Sequence, residues 1–145
     1  MSLSKTQIKI YRTTDILAVR SLDAALWQEA YTDSFAGMHL WLAKDGAGKL
    51  VGYASLKIVD GGSTAFLSKA GVLWSARGQG LQKRFIRVRE RRAKELGINN
   101  VITYTDNTNL PSINSLISCG YKMYQPARDW GLPFGKTGLY WKKKI

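Results

Sequence analysis

The chain has 145 residues, of which 45% are apolar and 22% charged, a balance typical of a folded globular protein of one domain, here residues 1–145. No apolar run approaches the ~20 residues of a membrane-spanning helix and no signal-peptide pattern opens the chain, so we expect a cytoplasmic protein that does not bind a membrane. Lys and Arg number 22 against 10 Asp and Glu, and the net charge of +12 attracts phosphorylated cofactors, nucleic acids and other anions. Cys119 and His39 are the only residues of their types, which excludes an internal disulfide and argues against a His/Cys metal cluster.

The first half of the chain predicts a strand, a helix and a three-strand meander. Residues 7–12 alternate polar and apolar side chains, as a strand does. Asp15 and the two threonines before it then supply an N-cap, and apolar residues follow at helical spacing: Ile16, Val19, Leu22 and Leu26. Residues 27–37 fit either more helix or a loop. Three strands are predicted next, over 39–43, 50–59 and 64–74, because glycine-containing turns with hairpin chemistry separate them.

The second half alternates helices with strands. A helix is predicted over 81–96, with Leu81, Phe85, Val88 and Leu96 on its buried face and Gly97 at its C-terminal end. The strand predicted over 100–105 should run parallel to the fourth strand, because a helix connects the two. Pro111 and Gly120 bracket a short helix, and strands over 121–125 and 137–144 follow. This order predicts an α+β fold, a mixed and mostly antiparallel sheet of six to seven strands with helices on both faces.

The segment that leads into the long helix has the composition of a phosphate-binding turn. Residues 72–82 read VLWSARGQGLQ. Gly78 and Gly80 permit a tight turn, and the helix start then directs N–H groups and a positive dipole end towards one spot, as a diphosphate requires. Arg77 adds a permanent positive charge. The spelling lacks the Gly-Lys-Ser/Thr of a P-loop, and Lys83 stands where a dinucleotide fingerprint needs its third glycine.

This turn resembles the pyrophosphate loop of the GNAT superfamily of N-acetyltransferases, whose pattern is Arg/Gln-x-x-Gly-x-Gly/Ala. Residues 77–81 fit the pattern, while Gln82 replaces its final small residue. The resemblance continues downstream, because Asn109 stands eleven residues before Gly120-Tyr121, as an Asn stands before a Gly-aromatic pair in the family. Ser112 occupies a position often held by Ala. Together with the order of elements, the similarity covers residues 7–144.

The resemblance implies that acetyl-CoA is the donor, bound where the fourth and fifth strands splay apart, and it implies no metal. Val72 and Leu73 would pair through their backbones with the pantetheine arm. Asn109 and Ser112 would reach the arm from the other side. The pyrophosphate would lie in the loop, which consists of Arg77, Gly78, Gln79, Gly80, Leu81 and Gln82.

The chemistry implied by the family is direct attack of an amine on the thioester. The amine must lose its proton to a base or a water relay, and a strand N–H near Leu73 would stabilise the oxyanion. The family's tyrosine that protonates the departing thiolate falls at Leu116 here, so we name three substitutes: Tyr121, Tyr124 and Ser115. Asp106 and Asp129 are the candidate bases, since the fourth strand contains no Asp or Glu.

Two further groups of residues are candidates for binding. The family's acceptor contacts come from the first helices and the late loop, which here supply Trp27, Tyr31, Phe35, Trp130 and Phe134. A basic stripe is predicted along the long helix, with Arg84, Arg87, Arg91 and Lys94 at its centre and Arg89 and Arg92 widening it. This stripe is compatible with three roles: a solvated face, a group of charges that attracts the CoA phosphates, or a nucleic-acid-binding surface. Residues 142–144, all Lys, could belong to the same surface.

We therefore predict an acetyl-CoA-dependent N-acetyltransferase that acts on a small-molecule or protein amine. The alternative is a basic nucleic-acid- or ribosome-associated binding module on the same fold with little catalysis. The pyrophosphate loop favours the enzyme, whereas the missing tyrosine and strand carboxylate favour the alternative. Acetyl-CoA and an amine are the expected partners, nucleic acid is not favoured, and the sequence leaves homodimer formation open.

Overall fold

The computed structural model describes residues 7–27, 33–128, 130 and 137–145. Seven strands form one sheet in the order β1-β2-β3-β4-β5-β7-β6. The strands are β1 (Lys9–Thr13), β2 (His39–Lys44), β3 (Leu50–Val59), β4 (Thr64–Val72), β5 (Asn100–Asp106), β6 (Lys122–Tyr124) and β7 (Gly138–Lys144). The helices are α1 (Ile16–Leu26), α2 (Leu81–Glu95) and α3 (Leu110–Ser118). None of the helices in the described ranges is long and apolar enough to cross a membrane.

The pairing of the strands confirms the predicted α+β class. Neighbours β1–β2, β2–β3, β5–β7 and β6–β7 are antiparallel, while β4 and β5 are parallel. The parallel ladder joins Thr64–Phe66 to Asn100–Ile102, as the intervening helix α2 requires. The sheet is therefore mixed and mostly antiparallel.

Local capping signals set where α1 begins and where α2 ends, as the sequence predicts. The Asp15 side chain accepts a hydrogen bond from the Ala18 N–H at 3.1 Å and caps α1. Gly97, at φ +77°, stops α2: its N–H donates to Lys94, and the Ile98 N–H donates to Ala93. This pair of bonds is the Schellman arrangement.

Three predictions about β4 and α2 were wrong. β4 ends at Val72 rather than Trp74, because Trp74 is already the first residue of a 3-10 turn over Trp74–Ala76. The Trp74 side chain is 82% exposed. Leu96 is 40% exposed because α2 has already ended and Leu96 belongs to the Schellman turn. Arg89 is only 3% exposed and does not join the basic stripe, since it follows Phe85 by one helical turn and shares its buried face.

Contacts divide the chain into two compact units, residues 1–57 with 68–85 and residues 58–67 with 86–145. One domain over 1–145 stays a prediction.

In the first unit, helices cover both faces of the sheet. A Cβ on Gly71 of β4 would lie 2.7 Å from Leu26 of α1 and 2.7 Å from the Tyr53 ring. A Cβ on Gly52 of β3 would lie 3.1 Å from Phe85 of α2. Because Gly52 and Tyr53 are consecutive in a strand and face opposite ways, α1 and α2 lie on opposite faces. The core on the α1 side contains Val19, Leu22, Phe35, Leu40, Leu42 and Tyr53.

In the second unit, β5 separates a covered face from a half-exposed one. Val101, Thr103 and Thr105 of β5 are buried, and the residues between them are half-buried. The covered face also holds Trp141 of β7, whose indole N–H donates to Thr105 at 3.0 Å.

Candidate functional site

The glycine turn before α2 has the backbone that its sequence predicts. Gly78 and Gly80 adopt φ values of +76° and +75°, in the left-handed region that favours glycine. A Cβ on either glycine would meet no atom within 4 Å, so space beside the backbone is open. The Gly80 carbonyl accepts from the Arg84 N–H at 3.2 Å and opens α2. The N–H groups of the first helical turn have no partner within the helix and can bind an anion.

Arg77 is held against the end of β4. Its Nε donates to the Val72 carbonyl at 3.0 Å, and its guanidinium lies 5.2 Å from the centroid of the Trp74 ring. Arg77 is exposed, whereas Val72 is buried. The structure thus brings the positive charge, the two glycines and the helix start together within the first unit, and their binding of a phosphate stays a prediction.

The backbone of Leu73 is already engaged. Its N–H donates to the Val51 carbonyl at 2.8 Å, and its carbonyl accepts from the Ala76 N–H at 2.9 Å. If this N–H stabilises an oxyanion, it must share or exchange its bond to Val51.

Asn109 and Ser112 lie together in the second unit, where they begin α3. The Asn109 side chain accepts from the Ser112 N–H at 3.4 Å, and Pro111 occupies the first helical turn. Asn109 is therefore a helix cap; its contact with the pantetheine arm stays a prediction.

Tyr121 is buried and belongs to a polar cluster of the second unit. Its hydroxyl donates to Glu90 Oε2 at 2.7 Å, and Lys143 Nζ lies 3.0 Å from the same oxygen. Burial, and then the Glu90 hydrogen bond, raise the pKa of Tyr121 well above its usual range. Burial lowers the pKa of neighbouring Arg89 to about 10, against the influence of Tyr121 and Glu90. We call Arg89, Glu90, Tyr121 and Lys143 the Glu90 cluster.

The other two candidate acids are more accessible. Tyr124 of β6 is half-buried, and burial raises the pKa of its hydroxyl, followed in effect by Asp60. A raised pKa keeps the phenol protonated at neutral pH, as proton donation requires. Ser115 of α3 is half-buried, and the Leu116 that follows it is buried.

The surroundings of Asp106, one of the two candidate bases, make it a weaker base. Asp106 accepts hydrogen bonds from the Thr108 and Thr137 hydroxyls, and these bonds hold the pKa of its carboxyl below the usual value. A lowered pKa makes a carboxylate a weaker base. Asp129 lies outside the described residues.

Sequence reasoning missed a buried carboxylate beside the fourth strand. Asp23 of α1 is fully buried, and its Oδ1 lies 2.6 Å from the Tyr53 hydroxyl and 2.9 Å from Lys69 Nζ of β4. Oδ2 accepts from the Asp33 N–H at 3.0 Å. The strand that has no acid of its own thus contacts one supplied by a helix. The signal was available, since Asp23 follows Val19 by four residues and so lies on the buried face of α1.

Of the candidate acceptor contacts that the structure describes, one is buried and two are half-buried. Phe35 is buried, with its ring edge-on to Tyr53 at 5.8 Å. Trp27 is half-buried; its indole N–H donates to the Tyr53 hydroxyl at 2.9 Å, and Lys69 Nζ lies 4.9 Å from its ring. Trp130 is half-buried in the second unit. Tyr31 and Phe134 lie outside the described residues.

The exposed side of α2 keeps most of the predicted basic stripe. Arg84, Arg87, Arg91 and Lys94 are exposed, and Arg92 is half-buried. Arg84 also donates from Nη2 to the Ile8 carbonyl at 2.9 Å. Within the ranges that the structure describes, no three His, Cys, Asp or Glu side chains are grouped closely enough to hold a metal ion.

Comparison with known proteins gives the family. The model of the acetyltransferase (GNAT) family matches residues 9–121. Because this match spans most of the chain, which also has the sheet and the glycine turn described above, the protein belongs to the GNAT family of acetyltransferases. No curated protein matches the sequence significantly.

Solved structures share the fold at low sequence identity. An IAA acetyltransferase from Bacillus cereus is 16% identical, with a TM-score of 0.77 over 95% of this chain and 99% of that one. The ribosomal-protein-S18-alanine N-acetyltransferase of Escherichia coli is 18% identical, with a TM-score of 0.74 over 95% of this chain and 94% of that one. A GNAT family acetyltransferase from Elizabethkingia anophelis, solved with acetyl-CoA bound, is 15% identical, with a TM-score of 0.73 over 96% of this chain and 99% of that one. At these identities the likeness shows the fold alone.

Proposed function

We propose that this protein is a cytoplasmic, acetyl-CoA-dependent N-acetyltransferase that transfers the acetyl group to an amine by direct attack. The observation that carries the proposal is the turn in which Arg77 precedes two left-handed glycines at the start of α2. Family membership supports the acetyl donor, as does the neighbour that binds acetyl-CoA. The similarity to the ribosomal-protein-S18-alanine N-acetyltransferase supports an amine as the acceptor.

The loop would bind the donor by its diphosphate. The N–H groups after Gly78 and at the start of α2 would donate to the phosphate oxygens, and the helix dipole would favour their charge. Arg77 would add charge-assisted hydrogen bonds. Gln82 is tolerated in this arrangement because the loop contributes its backbone N–H at that position. Val72, Leu73, Asn109 and Ser112 are the proposed contacts of the pantetheine arm.

Acid–base roles follow from access to the side chains. Tyr121 is committed to Glu90, so we favour Tyr124 and Ser115 as sources of the proton for the thiolate. With Asp106 weakened as a base, we expect the acceptor amine to lose its proton through water.

The donor site is tested by titrating acetyl-CoA calorimetrically near physiological salt. Arg77→Glu should weaken binding about tenfold or more, because charge-assisted hydrogen bonds are lost. Lys94→Glu is the matched control, since it makes the same change of charge on an exposed residue of α2. ATP serves as a second polyanion, because a protein of charge +12 binds any polyanion to some degree.

Equal losses in the two variants, or binding of ATP as tight as that of acetyl-CoA, would reject the specific donor site. A selective loss in Arg77→Glu would justify a screen of amine acceptors that follows release of free CoA thiol.

A further inference from the structure

Three tyrosines form a row across the sheet of the second unit. Tyr104 of β5 lies opposite Tyr140 of β7, and Tyr140 also lies opposite Tyr124 of β6. Residues paired across strands share a face of the sheet. The Tyr104 and Tyr140 rings are stacked, with centroids 6.3 Å apart and planes inclined by 27°. The row therefore presents aromatic rings from three separate strands on one face.

Two more rings extend this row. The centroid of the Trp130 ring lies 4.7 Å from that of Tyr140 and 6.3 Å from that of Tyr124. The ring centroid of Phe66 in β4 lies 5.8 Å from that of Trp130. All five side chains are half-buried, so none is wholly enclosed in the core. We call Phe66, Tyr104, Tyr124, Trp130 and Tyr140 the aromatic face.

Lysines follow the rings along the same face. Lys142 comes two residues after Tyr140 and lies opposite Lys122 of β6, and Lys144 comes two residues later still. All three are exposed, and Lys142 Nζ lies 4.8 Å from the Tyr124 ring. Lys143 points the other way, to Glu90 on α2. Strand alternation thus splits the basic run, and we call Lys122, Lys142 and Lys144 the lysine row.

The two acidic groups near this surface are each engaged by other side chains. Asp106 follows Tyr104 by two residues, so it lies at the end of the tyrosine row away from the lysines, and hydrogen bonds from Thr108 and Thr137 favour its ionised form. Asp60 is paired with Arg128 at 3.4 Å. The surface therefore has a positive end beyond the rings, and an anionic chain that crosses it is drawn to the lysine row.

We propose that the aromatic face and the lysine row bind single-stranded nucleic acid. Bases would stack on the rings while the lysines bind phosphates, the combination by which single strands are held without sequence preference. A single strand fits better than a duplex, because unpaired bases can be splayed out onto aromatic side chains. The proposed nucleic-acid site includes Tyr124, one of the two favoured proton donors, but no residue of the proposed pyrophosphate loop, residues 77–82.

The phosphate part is tested by fluorescence anisotropy with a labelled oligouridine at several salt concentrations. Lys142→Glu combined with Lys144→Glu should weaken binding and reduce the slope of log K against log salt by about 1.4, since two phosphate contacts are lost. Arg87→Glu combined with Arg91→Glu is the matched control, because it changes the charge equally on the exposed side of α2. Equal effects of the two double variants would overturn the proposal, since the binding would then follow net charge alone.

The stacking part uses Tyr140→Leu and Trp130→Leu, with Tyr140→Phe as the conservative variant. Each Leu variant should weaken oligouridine binding about tenfold, whereas Tyr140→Phe retains the ring and the affinity. Inorganic polyphosphate is the second probe, and its affinity should not change in any of the three. Thermal unfolding of each variant confirms that it folds. If a Leu variant does not fold, the Tyr140→Phe variant and the comparison of oligouridine with polyphosphate still test whether the rings bind bases.

Three results would overturn the proposal: polyphosphate that binds as tightly as oligouridine, Leu variants that fold and bind oligouridine normally, or a duplex that binds more tightly than the single strand. Acetyl-CoA titrated into the Lys142→Glu/Lys144→Glu variant reports separately on the donor site, so failure of one proposal is distinguished from failure of the other.

Discussion

The Tyr121 hydroxyl donates a 2.7 Å hydrogen bond to Glu90 Oε2, although the two residues are 31 positions apart in the chain. Glu90 lies on α2 and Tyr121 directly precedes β6, and the same oxygen is 3.0 Å from Lys143 of β7. Tyr121 is only 3% exposed. The Glu90 cluster therefore joins a helix to two parts of the chain that come after it, which gives Tyr121 a structural role.

Tyr121→Phe should lower the free energy of unfolding by about 1–3 kcal/mol, because it removes a hydrogen bond to a charged group whose side chain is only 12% exposed. Urea unfolding at neutral pH measures this. We expect the effect on acetyl transfer to be confined to this loss of stability, so at a temperature where both proteins are folded kcat should be unchanged. A large drop in kcat for a folded variant would instead assign Tyr121 to the chemistry.

The same hydrogen bond predicts a dependence on alkaline pH. The pKa of Tyr121 is raised in the folded state, so its contribution to stability is fully present below the unfolded pKa of about 10 and falls as the pH rises above it. The difference in unfolding free energy between the wild type and Tyr121→Phe should therefore be constant from pH 7 to 9 and shrink above pH 10. A difference that grows with pH would contradict the assigned partner.

Asp23→Asn should lower the free energy of unfolding by about 2–4 kcal/mol. The substitution removes a fully buried charge that contacts Lys69, and breaking a buried ion pair is costly; the cost is moderated because the Lys69 side chain is 19% exposed. Asp15→Asn on the same helix is the control, since Asn caps a helix as well as Asp. Similar losses in the two variants, measured by urea unfolding, would show that the Asp23 contacts contribute little.

Gly80→Ala should affect the donor site more than the fold. Gly80 has φ +75° and Gly48, in the β2–β3 turn, has φ +84°, and a Cβ would meet no atom within 4 Å at either position. Both Ala variants should therefore lose about 1–2 kcal/mol of stability from the left-handed conformation alone. Only Gly80→Ala should also weaken acetyl-CoA binding, as calorimetry can measure. Weakening by Gly48→Ala to the same extent would remove the loop from the donor site.

Gly71→Ala should destabilise the first unit by overpacking. The new methyl group would lie 2.7 Å from both Leu26 Cδ1 and the Tyr53 ring, so these side chains must move, at a typical cost of about 1–3 kcal/mol. Adding Leu26→Ala should recover part of this loss, because it removes one of the two clashes. Strictly additive effects of the two substitutions in urea unfolding would show that they do not interact.

Local signals were sufficient to predict the elements and the glycine turn before α2. Asp15 caps α1, Gly97 ends α2 and the glycine turn precedes Leu81, because each of these depends on residues that are adjacent in the chain. The parallel pairing of β4 with β5 was also predictable from the connecting helix. The end of β4 was placed too late, since the apolar run through Trp74 continues past the residue where the strand stops.

The sequence alone determined the order of elements, the class of sheet, the family resemblance and the glycine turn before α2, because periodicity and capping act over one or two turns of chain. Only the tertiary structure decided which polar residues are partners. It buried Arg89 beside the bond between Glu90 and Tyr121, brought Asp23 to Lys69, and separated Lys142 from Lys143 on opposite faces of β7. These partners lie on different elements, so their pairing cannot be predicted from neighbouring residues. Burial removes the water that would otherwise replace a missing partner, so an unpaired polar group there would lower the stability of the fold.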